Sequence, residues 1–236
     1  MFSSGEYTEN YPSGYDDFDK SLPLTVKEVN CKGTSLYFIL SDKKDVEYYA
    51  FISMGITSRW QNNYDKYCKW FIEIENNVTL WFREPCSFSN LEFFRNKKYL
   101  QKKLNSLGPD ILKSEFKLPE FKKIAKTYAN LEITSFLMDQ SIISGCCNYT
   151  KSEVLYDAKI SPLRKIGTLK DNELDLLYNS LRIIPRISYN NENLRKFSYD
   201  NINSYADIFN IYGKSSAKKS STADGNFTYW DPEVQI

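Results

Sequence analysis

The stretch "LMDQSIISGCCNYTKSEVLYDAKISPL", from Leu137 to Leu163, constrains the fold more than any other part of the sequence. Apolar residues run up to Ile143, Gly145 stops them, and a second run, "KSEVLYDA", follows a short polar link. The spacing predicts two helices joined by a tight turn. A helix that starts beside such a turn presents backbone N–H groups with no intrahelical partner, and these suit an anion. Asn148 stands at this junction, where an asparagine either caps the second helix or meets a bound phosphate.

Around this centre the chain reads as three zones. Up to about Gly108, short apolar, β-branched or aromatic runs ("LYFIL", "VEYYAFISM", "KWFIEIE", "VTLWF") alternate with polar turns such as "SDKKD". Such runs at close spacing predict a β-sandwich or barrel. From about Lys117 to Tyr199 the apolar residues recur at helical spacing, and Thr168 followed by Asp171 predicts a helix entry with a hydroxyl cap. The last zone predicts a hairpin whose strands lie in "YADIFNIYGK" and "FTYWDPEVQI", around the soft segment "SSAKKSSTADGN". Lys218 and Lys219 fall in that segment, which reads as a solvated loop.

Several chemistries are excluded at once. The 236 residues contain no histidine, which removes Ser-His-Asp and Cys-His catalysis and imidazole-bound zinc. The five cysteines lack paired spacing, so neither a disulfide framework nor an all-cysteine metal site is expected. A net charge of +1 gives no global attraction to nucleic acid. Local lysines (Lys97, Lys98, Lys102, Lys103, Lys122, Lys123 and Lys126) form either a basic surface or the wet faces of two helices. No apolar run approaches the ~20 residues of a membrane span, and "MFSSGEYTEN" lacks the pattern of a signal peptide. A soluble intracellular protein is therefore expected.

The residues carry a resemblance. "FLMDQSIISGCCNYTKSEVLYDAKISPLRK" resembles the helix–two-turns–helix signature of the formamidopyrimidine-DNA glycosylase and endonuclease VIII family. The match runs through Leu137, Asp139, Gln140, Gly145, Asn148, Tyr149, Glu153, Leu155, Ala158, Ile160 and Pro162. "LNSLGPDIL" resembles the family's interdomain link, and "TYWDPEVQI" the end of its zinc finger. The likeness is nearest to the zincless, viral endonuclease VIII-like members. It implies an α+β fold: an N-terminal β-sandwich (1–108) without the family's first helix, a helix–two-turns–helix DNA-binding domain (109–204) and a zincless-finger hairpin (205–236). It also implies a DNA-bound monomer, acting on abasic or oxidised duplexes, with no cofactor and no metal. Gly145, Cys147, Asn148 and Tyr149 inherit the phosphate-gripping turn. Ile56 takes the place of the wedge that fills a flipped base's gap, and Phe88 remains in "EPCSFS". The finger arginine of the family is not matched; on charge alone, Lys218 and Lys219 are candidates for a loose DNA contact from the hairpin. If the protein is viral, the host cytoplasm, nucleus or a viral factory is its expected location.

The same resemblance exposes departures. Family members attack the damaged nucleotide with a proline that follows the initiator methionine, and a glutamate comes next; this chain begins "MFSSGEYTEN". Thr34 occupies the slot of the family's strand lysine. Lys32 precedes it by two residues, an offset of about 6–7 Å along one strand. Cys86 and Ser87 replace two arginines, Cys147 replaces a glycine, and Asp231 and Val234 replace two zinc cysteines. The expectation is a DNA-binding relative of a base-excision-repair glycosylase and abasic lyase with impaired catalysis. The alternatives are an active enzyme whose true start lies upstream, an active enzyme with a substituted nucleophile, and an interaction protein that keeps only the fold.

Overall fold

Aromatic and β-branched runs become strands because their side chains pack well on a pleated, half-buried surface. In a computed structural model, which describes residues 2–3, 6–55, 58–85, 89–190 and 209–236, the chain divides into two units, Met1–Asn105 and Ser106–Ile236. The first unit contains, in order, α1 (Tyr15–Asp19), β1 (Thr25–Lys32), β2 (Ser35–Ser41), β3 (Glu47–Ser53), β4 (Arg59–Gln61), β5 (Cys68–Ile74), β6 (Val78–Arg83), β7 (Asn90–Phe94) and α2 (Lys97–Asn105). All strand pairs in its two sheets, ordered β1-β2-β3-β7 and β4-β6-β5, are antiparallel.

Alternation along each strand sets the layers. Leu40, Tyr48, Ala50, Ile52, Leu91 and Phe93 face Trp70 and Phe82 of the smaller sheet, with Phe38 and Trp60 packed at the margin. Trp60 meets Trp70 edge-on at 4.9 Å, and Trp70 stacks on Phe82 at 4.8 Å. The opposite face of the larger sheet, led by Tyr49 and Phe51, lies beneath Leu100 of α2. The abundant tyrosines and phenylalanines find a use here. Phe2 lies against Tyr7, Tyr11 and Tyr15, and Phe18 packs on Phe93 at 4.2 Å. These rings rest the half-exposed N-terminal segment on the sandwich, and the Ser3 N–H donates to the Lys69 carbonyl at 2.8 Å.

One reading of this unit needs correction. Lys32 and Thr34 do not share a strand: Lys32 ends β1, and Gly33 (φ 56°) and Thr34 form the turn into β2, where Ser35 faces Lys32. The offset along one strand therefore does not apply. The Lys32 ammonium instead donates to the Leu104 carbonyl at the end of α2, 2.7 Å away.

The second unit contains α3 (Leu118–Thr127), α4 (Ile133–Met138), α5 (Asn148–Asp157), α6 (Asp171–Asn190), β8 (Lys218–Ser221) and β9 (Phe227–Trp230). Its core is mostly aliphatic, built on Ile111, Ile133, Leu137, Ile143, Val154, Leu155, Leu177 and Leu181, with Phe121 and Phe136 among them. No helix among the described residues is long and apolar enough to cross a membrane.

The Thr168 hydroxyl does not cap α6; it donates to the Lys165 carbonyl at 2.7 Å. Glu173 does that work, its carboxylate accepting the Lys170 N–H at 2.6 Å across the helix entry. The hairpin's first strand is "KKSS", inside the segment read as a loop, and the tip is residues 222–226. Pairing with β9 supplies the order that a polar run does not advertise.

Candidate nucleic-acid interface

The turn between α4 and α5 is assembled by residues from two distant motifs. The Gln140 side chain brackets it: its amide donates to the Cys146 carbonyl at 2.8 Å, and its oxygen accepts the Gly145 N–H at 2.9 Å. Asp139 accepts from the Ser141 N–H at 2.8 Å and hydroxyl at 2.6 Å. The link "LGPD" closes the other side. The Gly108 N–H donates to the Gln140 carbonyl at 2.8 Å, and the Ser144 hydroxyl to the Gly108 carbonyl at 3.0 Å. A side chain at Gly108 would place its Cβ 2.3 Å from the Ile142 carbonyl oxygen, so this approach admits glycine alone. Gly145 has φ 99°, a conformation that L side chains avoid.

Cys147 sits at the N-cap with an extended backbone (φ −125°), so a side chain fits there without strain. Its sulfur lies 3.2 Å from the Thr150 hydroxyl. Burial pushes the thiols of Cys146 and Cys147 upward, Cys146 well above the usual range, so neither is poised as a thiolate. Asn148 is the first residue of α5, not its cap. Its Oδ1 is buried with no hydrogen-bond partner among the described residues. Tyr149 turns toward the C-terminal segment, stacked on Phe209 at 4.9 Å and edge-on to Tyr212. Burial raises its hydroxyl pKa far above the ordinary value.

The hairpin carries Lys218 and Lys219 on β8, opposite Trp230 and Tyr229. Both are exposed, and both ammonium groups lie over rings: Lys218 over Trp230 at 5.1 Å, Lys219 over Phe227 at 4.3 Å. Ile56 and Phe88 lie outside the described residues. Of the seven junction lysines, Lys97, Lys103 and Lys122 face carboxylates of their own unit, at 3.8 Å from Glu47, 2.8 Å from Glu92 and 2.6 Å from Asp175.

A feature that the sequence reading missed lies behind the turn. Six consecutive α5 residues, Thr150 to Leu155, are buried, including Lys151, Ser152 and Glu153. Lys151 pairs with Asp224 of the hairpin tip at 2.7 Å. The Ser152 hydroxyl accepts the Tyr229 N–H at 3.2 Å. The Glu153 carboxylate accepts the backbone N–H groups of Asn210, Ile211 and Tyr212 and the Asn210 side-chain amide, at 2.8–3.2 Å. The only local signal was a charged pair set between apolar neighbours in a predicted helix.

The residues that hold this turn fall within one recognised unit. Residues 107–190 match the model of the formamidopyrimidine-DNA glycosylase H2TH domain. A formamidopyrimidine-DNA glycosylase of Arabidopsis thaliana is 32% identical over 119 residues, covering 50% of this chain and 30% of that protein. The endonuclease 8-like protein L720 of Acanthamoeba polyphaga mimivirus is 25% identical over 187 residues, 70% of this chain and 67% of its own. Residues 107–190 therefore carry an H2TH domain of this type, and the chain is similar to formamidopyrimidine-DNA glycosylases and endonuclease VIII proteins. It spans about a third of the Arabidopsis protein and two thirds of the viral one. Its fold matches that of the Lactococcus lactis formamidopyrimidine-DNA glycosylase bound noncovalently to DNA with an AP site, at a TM-score of 0.72 and 19% identity, over 94% of this chain and 86% of the other.

The family resemblance includes a zinc finger, and the donors here do not fit one. Asp231 and Val234 stand at two thiolate positions, "FNIY" offers no thiol, and the Glu153 carboxylate is filled by N–H groups. Among the described residues no cluster of three His, Cys, Asp or Glu could hold a metal. Asp231 instead accepts the Glu233 N–H at 2.9 Å, and the buried Gln235 side chain donates to the Ile160 carbonyl at 2.9 Å.

Proposed function

We propose that this protein binds double-stranded DNA carrying an abasic or oxidised nucleotide, gripping the sugar–phosphate backbone with the Gly145–Asn148 turn. The supporting observation is the state of Asn148. Gln140, Asp139 and Gly108 hold the turn without it, Cys147 occupies the N-cap position, and the Asn148 Oδ1 has no hydrogen-bond partner among the described residues, so the side chain is not spent on holding the turn. An asparagine at the head of a helix offers amide donors beside the positive end of the helix dipole, which suits a phosphate. Phosphate contacts fix position and carry no sequence information, as a protein that scans for damage needs. Lys218 and Lys219 add a second contact from the hairpin.

We infer also that strand cleavage by the family's route is impaired in the 236-residue chain. Thr34 in the lysine slot has no amine, and the Lys32 ammonium is engaged with the Leu104 carbonyl.

A shift assay at low salt with an abasic duplex tests the first claim. Asn148→Ala is expected to weaken binding about tenfold, the loss of one charge-assisted hydrogen bond, without changing thermal stability. Equal affinity in the two proteins would remove the phosphate role. Borohydride trapping on the same duplex tests the second, since a covalent adduct from this chain contradicts impairment.

A further inference from the structure

We propose that Lys151 is a positioning residue: its buried pair with Asp224 registers the hairpin tip on the first turns of α5. The inference rests on the DNA-binding reading only in its last step, the effect on affinity.

The geometry is that of a clamp. Successive helical residues point about 100° apart, so residues 151 to 153 reach around α5 instead of lying along one stripe. Each takes a different part of the C-terminal segment. Glu153 holds the strap at residues 210–212, Ser152 holds β9 at Tyr229, and Lys151 holds the tip at Asp224. The Lys151 side chain is fully buried and that of Asp224 is 3% exposed. The remaining lone pairs of Asp224 are filled by the Thr222 hydroxyl at 2.5 Å and the Asn226 amide at 3.0 Å.

A buried ion pair contributes little net stability compared with an apolar pair of the same shape, but separating it strands a charge in the interior. Its value is therefore in register: a hairpin that slips from its seat loses the pair's compensation at once. Asn148 lies on the same side of α5 as Lys151 and Ser152, three and four residues earlier, and its carbonyl accepts the Ser152 hydroxyl at 3.4 Å. The tip is thus tied to the turn that carries Asn148, and the hairpin lysines are held with it.

Amide hydrogen exchange on the full chain without DNA is the test, for wild type, Lys151→Met, Asp224→Asn and the double variant. Methionine keeps the length and apolar stem of lysine, so a loss in Lys151→Met reports the charge and not packing. The Thr222, Gly225 and Tyr229 amides, bonded to the Asn226 carbonyl, the Thr222 carbonyl and the Ser152 hydroxyl, should exchange about a hundredfold faster in each single variant. The α6 amides should not change, and the double variant should show less than the combined effect. EDTA should leave wild-type exchange unaltered. Unchanged hairpin exchange in both single variants, an additive double variant, or loosening by EDTA would each overturn the proposal. If Lys151→Met does not fold, Asp224→Asn, changed at the tip and not in the helical core, carries the test. On the abasic duplex, Lys151→Met should bind about tenfold more weakly; a loosened hairpin with full affinity would refute the positioning role. A wild type that binds no DNA defeats the DNA reading, while the exchange data still decide whether Lys151 seats the hairpin.

Discussion

Helices α2 and α5 are of nearly equal length, nine and ten residues, and both are rich in polar side chains, yet they occupy opposite environments. In α2, "KKYLQKKLN", Leu100 is the one buried residue; Lys98 and Lys102 are exposed, and the helix covers a sheet with a single apolar edge. In α5, "NYTKSEVLYD", Lys151, Ser152 and Glu153 are as buried as the Val154 and Leu155 that follow. The difference lies in what each polar group meets. The α2 lysines are solvated or, like Lys97 and Lys103, reach carboxylates of the sheet below, whereas every charged group in the buried part of α5 has a partner in the C-terminal segment. Polarity in a sequence says that a group needs a hydrogen-bond partner; it does not say that the partner is water.

The comparison breaks most visibly at Glu153. Glu153→Gln keeps the shape but turns an acceptor-only group into one with an NH2 end, facing a nest of backbone N–H donors. Two or more donors would lose their partner in a buried site, at a cost of about 3 kcal/mol. A urea titration should show the midpoint falling accordingly, whereas a change below about 0.5 kcal/mol would mean that the carboxylate is dispensable and α5 resembles α2 after all.

The two helices also show what sequence patterns can carry. Strands β2, β3, β5 and β6 were legible because their apolar and aromatic runs are local facts about short segments. Edge strand β1 was not: seven of its eight residues are exposed, so "TVKEVNCK" shows neither a buried face nor a run. The start of β8 was hidden for a related reason, as "KKSS" is ordered by its partner strand and not by its own composition. At the candidate interface, the glycine stop and the following asparagine located the turn from sequence alone. The Lys151–Asp224 pair escaped because its members are 73 residues apart, beyond any periodicity argument. Thr168 was misread as a cap because hydroxyl and carboxylate both suit a helix entry, and only geometry shows that Glu173 takes the role.

A middle case sharpens the contrast. The Arg164 guanidinium faces Glu173 with contacts of 2.6 and 3.1 Å, each side chain about a quarter exposed. This hydrogen bond, helped by the Lys170 N–H and opposed by partial burial, holds the Glu173 carboxyl below its usual pKa. A carboxylate whose folded pKa is depressed contributes stability above its unfolded pKa, near 4.3, and loses that contribution as the pH falls through the folded value. Glu173→Gln should therefore be less stable than wild type by about 1 kcal/mol at pH 7. Melting both proteins from pH 7 down to pH 3 should show the gap closing below about pH 4. A gap that does not narrow at all as the pH falls would assign the loss to packing or to the cap and not to the charge.

The smallest effect belongs to α2, and its smallness is the point. Lys98 and Lys102 are exposed and form no salt bridge among the described residues, so replacing both by alanine removes solvated charges from a helix that alanine itself favours. The melting temperature should stay within the shift expected for about 0.5 kcal/mol, with either sign. If these lysines belong to the DNA-binding surface, affinity for the abasic duplex should fall alone, and the slope of log affinity against log salt should flatten by about one for each phosphate that is no longer neutralised. An unchanged salt slope with unchanged affinity would make α2 a solvated face and nothing more. A large fall in stability would instead show that exposure fails as a guide to the worth of a charge in α2, and the contrast with α5 would fall with it.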